Sequence, residues 1–301
     1  MICKDDLNEM IESIRECDSC IDIQIKKFSP IMDYENFDEL DDDYKRCECG
    51  KRPIDVVMAH ILKIMIEEGV VPESATLRRN SPVPLSAFYY STLNPQFIGR
   101  DMLILLHPDF TKKAASRLIG EVSEVKGVLK GSPRDTAGMF DKDSKINHFE
   151  ILEGDDGQIN VMRTLLDEKI ILSKSQSRHH IEVAMTTEQK LVQLHNYLEN
   201  NGIKKGVAID GMCGLGAIGI YLLKCGFEKV IFNDINPEMI EALKMNLEIN
   251  EIEGNFEIHN LSFEELDVGD ADLCVIDAFP GSDISEITKK AEKIASNVLI
   301  I

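Results

Sequence analysis

The order of apolar and polar residues divides the chain into three stretches of different rhythm. In the first, Leu7, Met10, Ile11 and Ile14 recur at helical spacing and predict a helix over 5–17. CIDIQIKKF (20–28) alternates like a short strand, and DYENFDELDDDY (33–44), with few apolar anchors, reads as a solvated acidic loop. RPIDVVMAHILKIMIEEG (52–69) predicts a helix with Pro53 in its first turn. Val57, Met58, Ile61, Leu62 and Met65 form its buried stripe, and Gly69 is its stop. The second stretch mixes strands and one helix. DMLILLHPDF (101–110) is a strand that leads into a helix over 110–122, capped by Asp109 or Thr111. SEVKGVLKGSP (123–133) is another strand, HFEILEGDDGQINVM (148–162) reads as a hairpin, and EKIILSKSQ (168–176) closes the segment.

From about residue 186 apolar strands alternate with amphipathic helices. A helix over 186–202 precedes the strand GVAID; the helix 217–227, the strand KVIFND and the helix 236–250 follow. The strands NFEIHN and DLCVIDAF, the helix 285–295 and the strand NVLII complete the series. This alternation predicts an α/β fold with a doubly wound parallel, Rossmann-like sheet over 181–301. Ahead of it stand a small α+β domain over 76–180, expected to recognise substrate, and a helical N-terminal segment over 1–75.

No stretch approaches the roughly 20 apolar residues of a membrane span, and the N-terminus carries acids where a leader peptide carries bases. The expectation is a cytoplasmic protein without a membrane partner, whose eight cysteines serve as thiols or metal ligands. The net charge of −20 argues against a surface that grips nucleic acid by its phosphates. That charge is uneven: residues 76–185 hold fourteen acids and fifteen bases, so the middle is the part suited to an anionic partner.

The chemistry concentrates in VAIDGMCGLGAIGIYLL (207–223). Gly214, Gly216 and Gly219 complete a G-x-G-x-x-G, the usual fingerprint of a dinucleotide site. In that site the first strand runs straight into the first glycine, whereas here Gly211, Met212 and Cys213 intervene after Asp210. A carboxylate at the strand tip opposes a phosphate and suits a cation. S-adenosylmethionine carries an ammonium group and no phosphate, so Asp210 favours that cofactor over NAD. Asp234 ends the next strand, twenty residues past Gly214, where either cofactor's ribose hydroxyls would meet it. Asn236-Pro237 then opens a helix, with Asn246 twelve residues after Asp234.

DGMCGLGAIGIYLLKCG followed by VIFNDINPEMIEALKMNLEIN resembles the core of class I S-adenosylmethionine-dependent methyltransferases, most of all the archaeal tRNA guanine methyltransferases and their wybutosine-pathway relatives. The resemblance covers roughly residues 180–301. It implies that Asp210, Gly211, Met212, Gly214 and Gly216 form the cofactor loop, that Asp234 and Ile235 meet the ribose side, and that His259-Asn260 lies by the adenine. It also implies that Asp277-Ala278-Phe279-Pro280 faces cofactor and substrate, and that Thr186, in MTTEQ (185–189), closes over the methionine end. Two departures matter. The loop after the fourth strand is D-A-F-P-G rather than N-P-P-Y or D-P-P-Y, and the sequence stops after the fifth strand where such cores add two more. The sheet is then expected to end open, to be completed by the middle domain, or to pair in a homodimer.

Outside this core, Cys17, Cys20, Cys47 and Cys49 have the spacing of a four-thiolate zinc or iron–sulfur site, with incidental thiols as the alternative. His180, beside Arg178 and His179, and Asp277 are the candidate catalytic groups, His180 as a base. Arg78-Arg79 and Lys112, Lys113 and Arg117 are candidate anion contacts. The sequence alone thus favours a methyltransferase acting on a small anionic metabolite or cofactor precursor held between the middle and cofactor domains. The alternatives are a tRNA methyltransferase, disfavoured by the acidic charge, and a non-catalytic S-adenosylmethionine-binding assembly or sensor protein.

Overall fold

The computed structural model describes residues 4–90, 96–140, 145–180, 184–279 and 281–301. They divide into two compact units, one built from 2–158 with 175–181 and the other from 159–174 with 182–301.

The first unit begins with α1 (Lys4–Ser13), β1 (Arg52–Pro53) and α2 (Ile54–Glu67). β2 (Val83–Ser86), β3 (Phe88–Tyr90), β4 (Phe97–Ile98), β5 (Leu103–His107), α3 (Lys112–Glu121), β6 (Val125–Lys130) and β7 (Glu150–Gly154) follow. Its main sheet runs β2-β5-β6-β7, with β5 and β6 parallel and the outer pairs antiparallel. Every residue of β5 is buried because both of its faces are covered, Leu103 and Leu105 lying in one core and Ile104 and Leu106 in another. Thr111 caps α3 by accepting the Ala114 N–H (3.2 Å). Val56, Val57, Ala59, Ile61, Leu62 and Met65 of α2 are all fully buried. They form one core with Ile31 and Leu40 on the N-terminal side and with Leu103, Leu118, Val125 and Val128 on the other. Residues on both sides of position 75 therefore share a single core.

Three local expectations change. Residues 20–28 form no strand: Ile21 is exposed, only Ile25 is fully buried, and among the described residues no ladder partner exists for the segment. The acidic run 33–44 is folded rather than solvated. Two short 3₁₀ turns, Ile31–Asp33 and Phe37–Glu39, carry Leu40 into the core, while Lys63 Nζ donates to the Asp38 and Leu40 carbonyls (3.0 and 3.1 Å). The hairpin over 148–162 separates into strands of different sheets, β7 beside β6 and β8 (Gly157–Arg163) beside β9 (Lys169–Ser175). The reason is steric. A Cβ at Gly127 would stand 2.1 Å from the Asp155 carbonyl oxygen, and one at Gly154 would stand 2.2 Å from that of Lys126. These glycines serve the close approach of β7 to β6, and not a hairpin turn.

The second unit holds most of β8 and β9, then α4 (Ala184–Asn201), β10 (Val207–Asp210), α5 (Ala217–Lys224), β11 (Lys229–Asn233) and α6 (Pro237–Ile249). β12 (Phe256–His259), β13 (Leu273–Ile276), α7 (Ser285–Ile294) and β14 (Val298–Ile300) complete it. Five parallel strands stand in the order β12-β11-β10-β13-β14, so the sheet reads 3-2-1-4-5. The two-residue period of the strands separates two cores. Ala208, Val230, Phe232, Leu273 and Val275 pack with Leu194 of α4, Ile220 of α5 and Leu243 of α6. Ile209, Ile231, Cys274 and Ile276 face the other way, toward Ala291 of α7 and Phe263. Helices thus cover both faces, which is the doubly wound arrangement. It brings the carboxyl ends of β10, β11 and β13 to one edge, with the strand order reversing at β10.

Candidate cofactor and acceptor site

The strand tips build the candidate site. β10 ends on Asp210, β11 is followed by Asp234, and β13 by Asp277. The connection after β10 is held from several sides: Gly211 N–H donates to the Val275 carbonyl (2.9 Å), and Cys213 N–H to that of Asn233 (2.9 Å). Asn246 of α6, fully buried, donates to the Leu215 carbonyl (3.0 Å), and Asn233 Nδ2 reaches the Gly211 carbonyl (3.2 Å). The spacing of Asn246 from Asp234 is thereby accounted for, since α6 returns it to brace the glycine loop. Gly214 and Gly216 have φ of +49° and +91°, the left-handed region that favours glycine. A Cβ at Gly214 would meet nothing within 4 Å, so bare backbone there faces open space.

Asp234 carries the most direct binding geometry. Its Oδ2 accepts the Gly214 N–H (2.8 Å) and its Oδ1 the Asn236 N–H (2.8 Å). Burial pushes its carboxyl above the usual carboxylate range, against the pull of those two donors. Two bonds leave lone pairs on both oxygens, because a carboxylate offers about four acceptor sites. A pair of vicinal hydroxyls suits what remains. Beside it Ile235 is 54% exposed, an apolar side chain at a strand tip without a covering residue. Asn260 Nδ2 donates to the Asp234 and Ile235 carbonyls (2.8 and 3.0 Å), tying the third strand's end to the second's.

Asp210 is placed differently from an open cation ligand. It is fully buried, and its Oδ2 accepts the Gly219 N–H in the first turn of α5 (2.8 Å). Its Oδ1 has no hydrogen-bond partner among the described residues. Burial, aided by the charges of Asp277 and Asp234, pushes this carboxyl up to about 8. Asp277 is half-buried and pairs with Lys190 of α4 (2.8 Å). Lys190 was not anticipated; its position four residues after Thr186, on the same helical face, was the available signal. Thr186 and Met185 are exposed at the start of α4. Met212 is half-buried and Gly211 buried in the loop.

The remaining candidates fall elsewhere. His180 is half-buried in the 175–181 segment of the first unit, whereas Asp277 belongs to the second. Neighbouring His179 accepts the Ser175 N–H at Nδ1 (3.0 Å), a structural use of the ring. Arg117 binds Glu67, Glu68 and Glu121, and Lys113 binds Glu68, so two of the expected anion contacts instead cross-link α2 and α3. Cys17, Cys20, Cys47 and Cys49 come together in the first unit, their Sγ atoms all within 4.8 Å of one another. Pro280 lies outside the described residues. Among the described residues no helix is long and apolar enough to cross a membrane.

No known family model matches the chain. In sequence it is 37% identical over 71 residues to the tRNA (guanine(26)-N(2))-dimethyltransferase of Sulfolobus acidocaldarius, covering 23% of this chain and 19% of that one. It is 33% identical over 85 residues to the ribosomal protein L11 methyltransferase of Aeromonas salmonicida, covering 28% of this chain and 29% of the other. The chain thus spans under a third of the length of these curated relatives. Among solved structures, the M. jannaschii tRNA m1G37 methyltransferase aligns over 78% of this chain and 59% of its own, at 16% identity and a TM-score of 0.44. The Pyrococcus abyssi tRNA (uracil-54, C5)-methyltransferase, solved with S-adenosyl-L-homocysteine, aligns over 81% and 55%, at 17% identity and a TM-score of 0.46. The five-stranded parallel sheet in the order 3-2-1-4-5, with an acid after each of its three central strands, gives the second unit the Rossmann-like fold of class I S-adenosylmethionine-dependent methyltransferases.

Proposed function

We propose that the chain is an S-adenosylmethionine-dependent methyltransferase whose acceptor is tRNA. The observation that carries the cofactor reading is Asp234, braced by two backbone N–H groups and set between the open backbone of Gly214 and the exposed Ile235. In this reading Asp234 receives the ribose hydroxyls and Ile235 lies against the adenine. Asn260 holds the turn that positions both. Asp210, fully buried, braces the turn into α5 through the Gly219 N–H, and Thr186 stands at the start of the helix that would close over the methionine end. A dinucleotide is the poorer fit, because the Gly214 and Gly219 N–H groups that its pyrophosphate would need are taken by Asp234 and Asp210.

Bound S-adenosylmethionine supplies a methyl group already activated on a sulfonium, so the protein's task is to align the acceptor, exclude water and accept a proton where one must leave. Asp277, held by Lys190 at the end of β13, is the group placed to orient the acceptor. The acceptor class rests on the sequence match to a tRNA dimethyltransferase, and the second curated relative also modifies a macromolecule, a ribosomal protein. A small anionic metabolite, favoured by the acidic charge and by the D-A-F-P-G loop, has no counterpart among these relatives, and two of the cations assigned to it are paired internally.

The test is incubation of the full chain with methyl-labelled S-adenosylmethionine and, in separate reactions, the tRNA, protein and small-molecule fractions of a source extract. Label in tRNA is expected. Label confined to another fraction overturns the acceptor, and cofactor binding without transfer to any fraction identifies a sensor or assembly protein. Binding of NAD in place of S-adenosylmethionine in a calorimeter removes the whole reading.

A further inference from the structure

The four clustered thiols of the first unit take no part in that chemistry, and they arrive from two separate tight turns. In one, Cys20 N–H returns to the Cys17 carbonyl (3.0 Å). In the other, Gly50 N–H returns to the Cys47 carbonyl (2.8 Å) while Cys47 N–H donates to that of Lys51 (2.8 Å). Gly50 takes φ +83° there, a value a side chain would strain. Residues 29 and 30 positions apart in sequence thus meet at their sulfurs. Cys17 and Cys47 Sγ are 3.4 Å apart, Cys20 and Cys49 3.6 Å, and Cys17 and Cys20 3.7 Å.

Those separations discriminate among the uses of four cysteines. A disulfide needs about 2.05 Å between sulfurs, and all four cysteines are free. Four sulfurs at about 2.3 Å from one central ion, at the corners of a tetrahedron, stand about 3.8 Å apart. A polynuclear iron–sulfur cluster has a body of its own and would spread its ligand sulfurs beyond the 4.8 Å that contains all four here. Tetrahedral thiolate sets hold zinc or iron–sulfur centres; the short separations leave room for a single ion, and zinc is the usual ion of a closed four-cysteine structural site. We propose that Cys17, Cys20, Cys47 and Cys49 bind a single structural zinc ion.

The surroundings fit the charge and the role. Four thiolates around a divalent cation carry a net charge of about −2, and the second turn is bracketed by Arg46 and the buried Lys51. That turn is already fixed to the unit: Arg46 donates to the Gly50 carbonyl (2.6 Å), to Ser123 Oγ (2.9 Å) and to Glu124 (3.2 Å). Among the described residues no side-chain hydrogen bond of that kind ties the first turn to the unit. Leu7, Ile11 and Ile14 are buried, yet they belong to none of the unit's core clusters. Zinc would join the turn that carries Cys17 and Cys20 to a braced turn, and binding releases the thiol protons to solvent.

The experiment is elemental analysis of the full chain purified without chelator, together with Cys20→Ser, Cys49→Ser and, as a control outside the cluster, Cys225→Ser. About one zinc per chain is expected in the wild type and in Cys225→Ser, falling about tenfold or more in each cluster variant. Cobalt exchanged into the wild type should show the thiolate-to-cobalt charge-transfer and visible d–d bands of a tetrahedral tetrathiolate site. This readout needs no variant to fold. A wild type that holds neither zinc nor cobalt overturns the proposal, as does one that holds iron with acid-labile sulfide, or one whose Cys225→Ser variant loses metal equally.

Discussion

Gly219 is the third glycine of the G-x-G-x-x-G, and the structure gives it a packing task that Gly219→Ala tests quantitatively. An ideal Cβ there would lie 2.0 Å from Cε1 of Phe232, 2.6 Å from Cζ and 2.7 Å from Cδ1. Carbon atoms pack at about 3.5–4.0 Å, so the ring or the helix must move by about 1.5 Å. Phe232 is fully buried on β11 and stands edge-on to Phe256 at 6.2 Å, which leaves it little room. Overpacking of this kind costs about 1–3 kcal/mol, against a gain of up to about 1 kcal/mol in helix propensity. A net loss of about 1–2 kcal/mol follows. Gly120→Ala is the matched control. Gly120 also lies in a helix, is exposed, and has nothing within 4 Å of its Cβ position, so it should gain up to about 1 kcal/mol. Urea unfolding followed by circular dichroism reads the global effect, and hydrogen exchange of peptides from α5 and α3 assigns it to each unit. Phe232→Leu in the Gly219→Ala background should recover part of the loss. If Gly219→Ala stabilises as much as Gly120→Ala, α5 is not seated on β11 as described.

Asp234→Ala should weaken S-adenosylmethionine binding by about 10-fold or more, since two hydroxyl bonds to a charged group are worth about 1.5–3 kcal/mol each; unchanged affinity in a calorimeter removes the assignment. Asp210 carries a pH signature. Its folded carboxyl at about 8 lies above the ordinary 3.8, so its proton is held more tightly in the folded chain. The associated stability is complete below pH about 4 and is lost as pH rises to about 8. Asp210→Asn should flatten that decline, with a gain of up to about 4 kcal/mol at pH 7; identical urea midpoints for both proteins from pH 5 to 9 would refute it. Glu124→Gln should cost up to about 3–5 kcal/mol by leaving buried Arg52 with only the part-exposed Asp42, 3.3 Å away, as a charge partner, as Arg52 and Glu124 are both fully buried and joined through Nε–Oε1 at 2.9 Å; a thermal melt within about 2 °C of wild type contradicts that burial.

How far the sequence revealed this depends on whether a pattern was local. The second unit was legible because each strand and helix announces itself within a dozen residues, and the order of elements then admits few topologies. Asp210, the glycine loop and Asp234 were readable for the same reason, since strand, turn and helix set their spacing. What escaped was what only tertiary contact reveals. Lys190 meets Asp277 across 87 positions, and Arg52 meets Glu124 across 72. The acidic run 33–44 looked soluble because its few apolar residues are aperiodic, yet Leu40 enters the core beside α2 and Tyr34, Phe37 and Tyr44 pack against it, which folds the run down. The hairpin over 148–162 was misread because glycine has two uses, permitting a turn and permitting close approach, and the letter does not say which.

The same distinction sharpens the reading of the loop that suggested the function. Asp210 was expected to offer its carboxylate to a cation, on the ground that a phosphate would avoid it. The structure gives one oxygen of that group to the Gly219 N–H, a donor that a bound pyrophosphate would otherwise compete for. The acid therefore opposes a dinucleotide by occupying a donor at the helix N-terminus. Gly214 N–H is likewise taken by Asp234. Two of the backbone donors that make a G-x-G-x-x-G loop a phosphate cradle are here satisfied by carboxylates. What the loop still presents is open backbone at Gly214 and lone pairs on Asp234. Acceptors of that kind suit ribose hydroxyls, while a pyrophosphate would find two of its customary donors already taken.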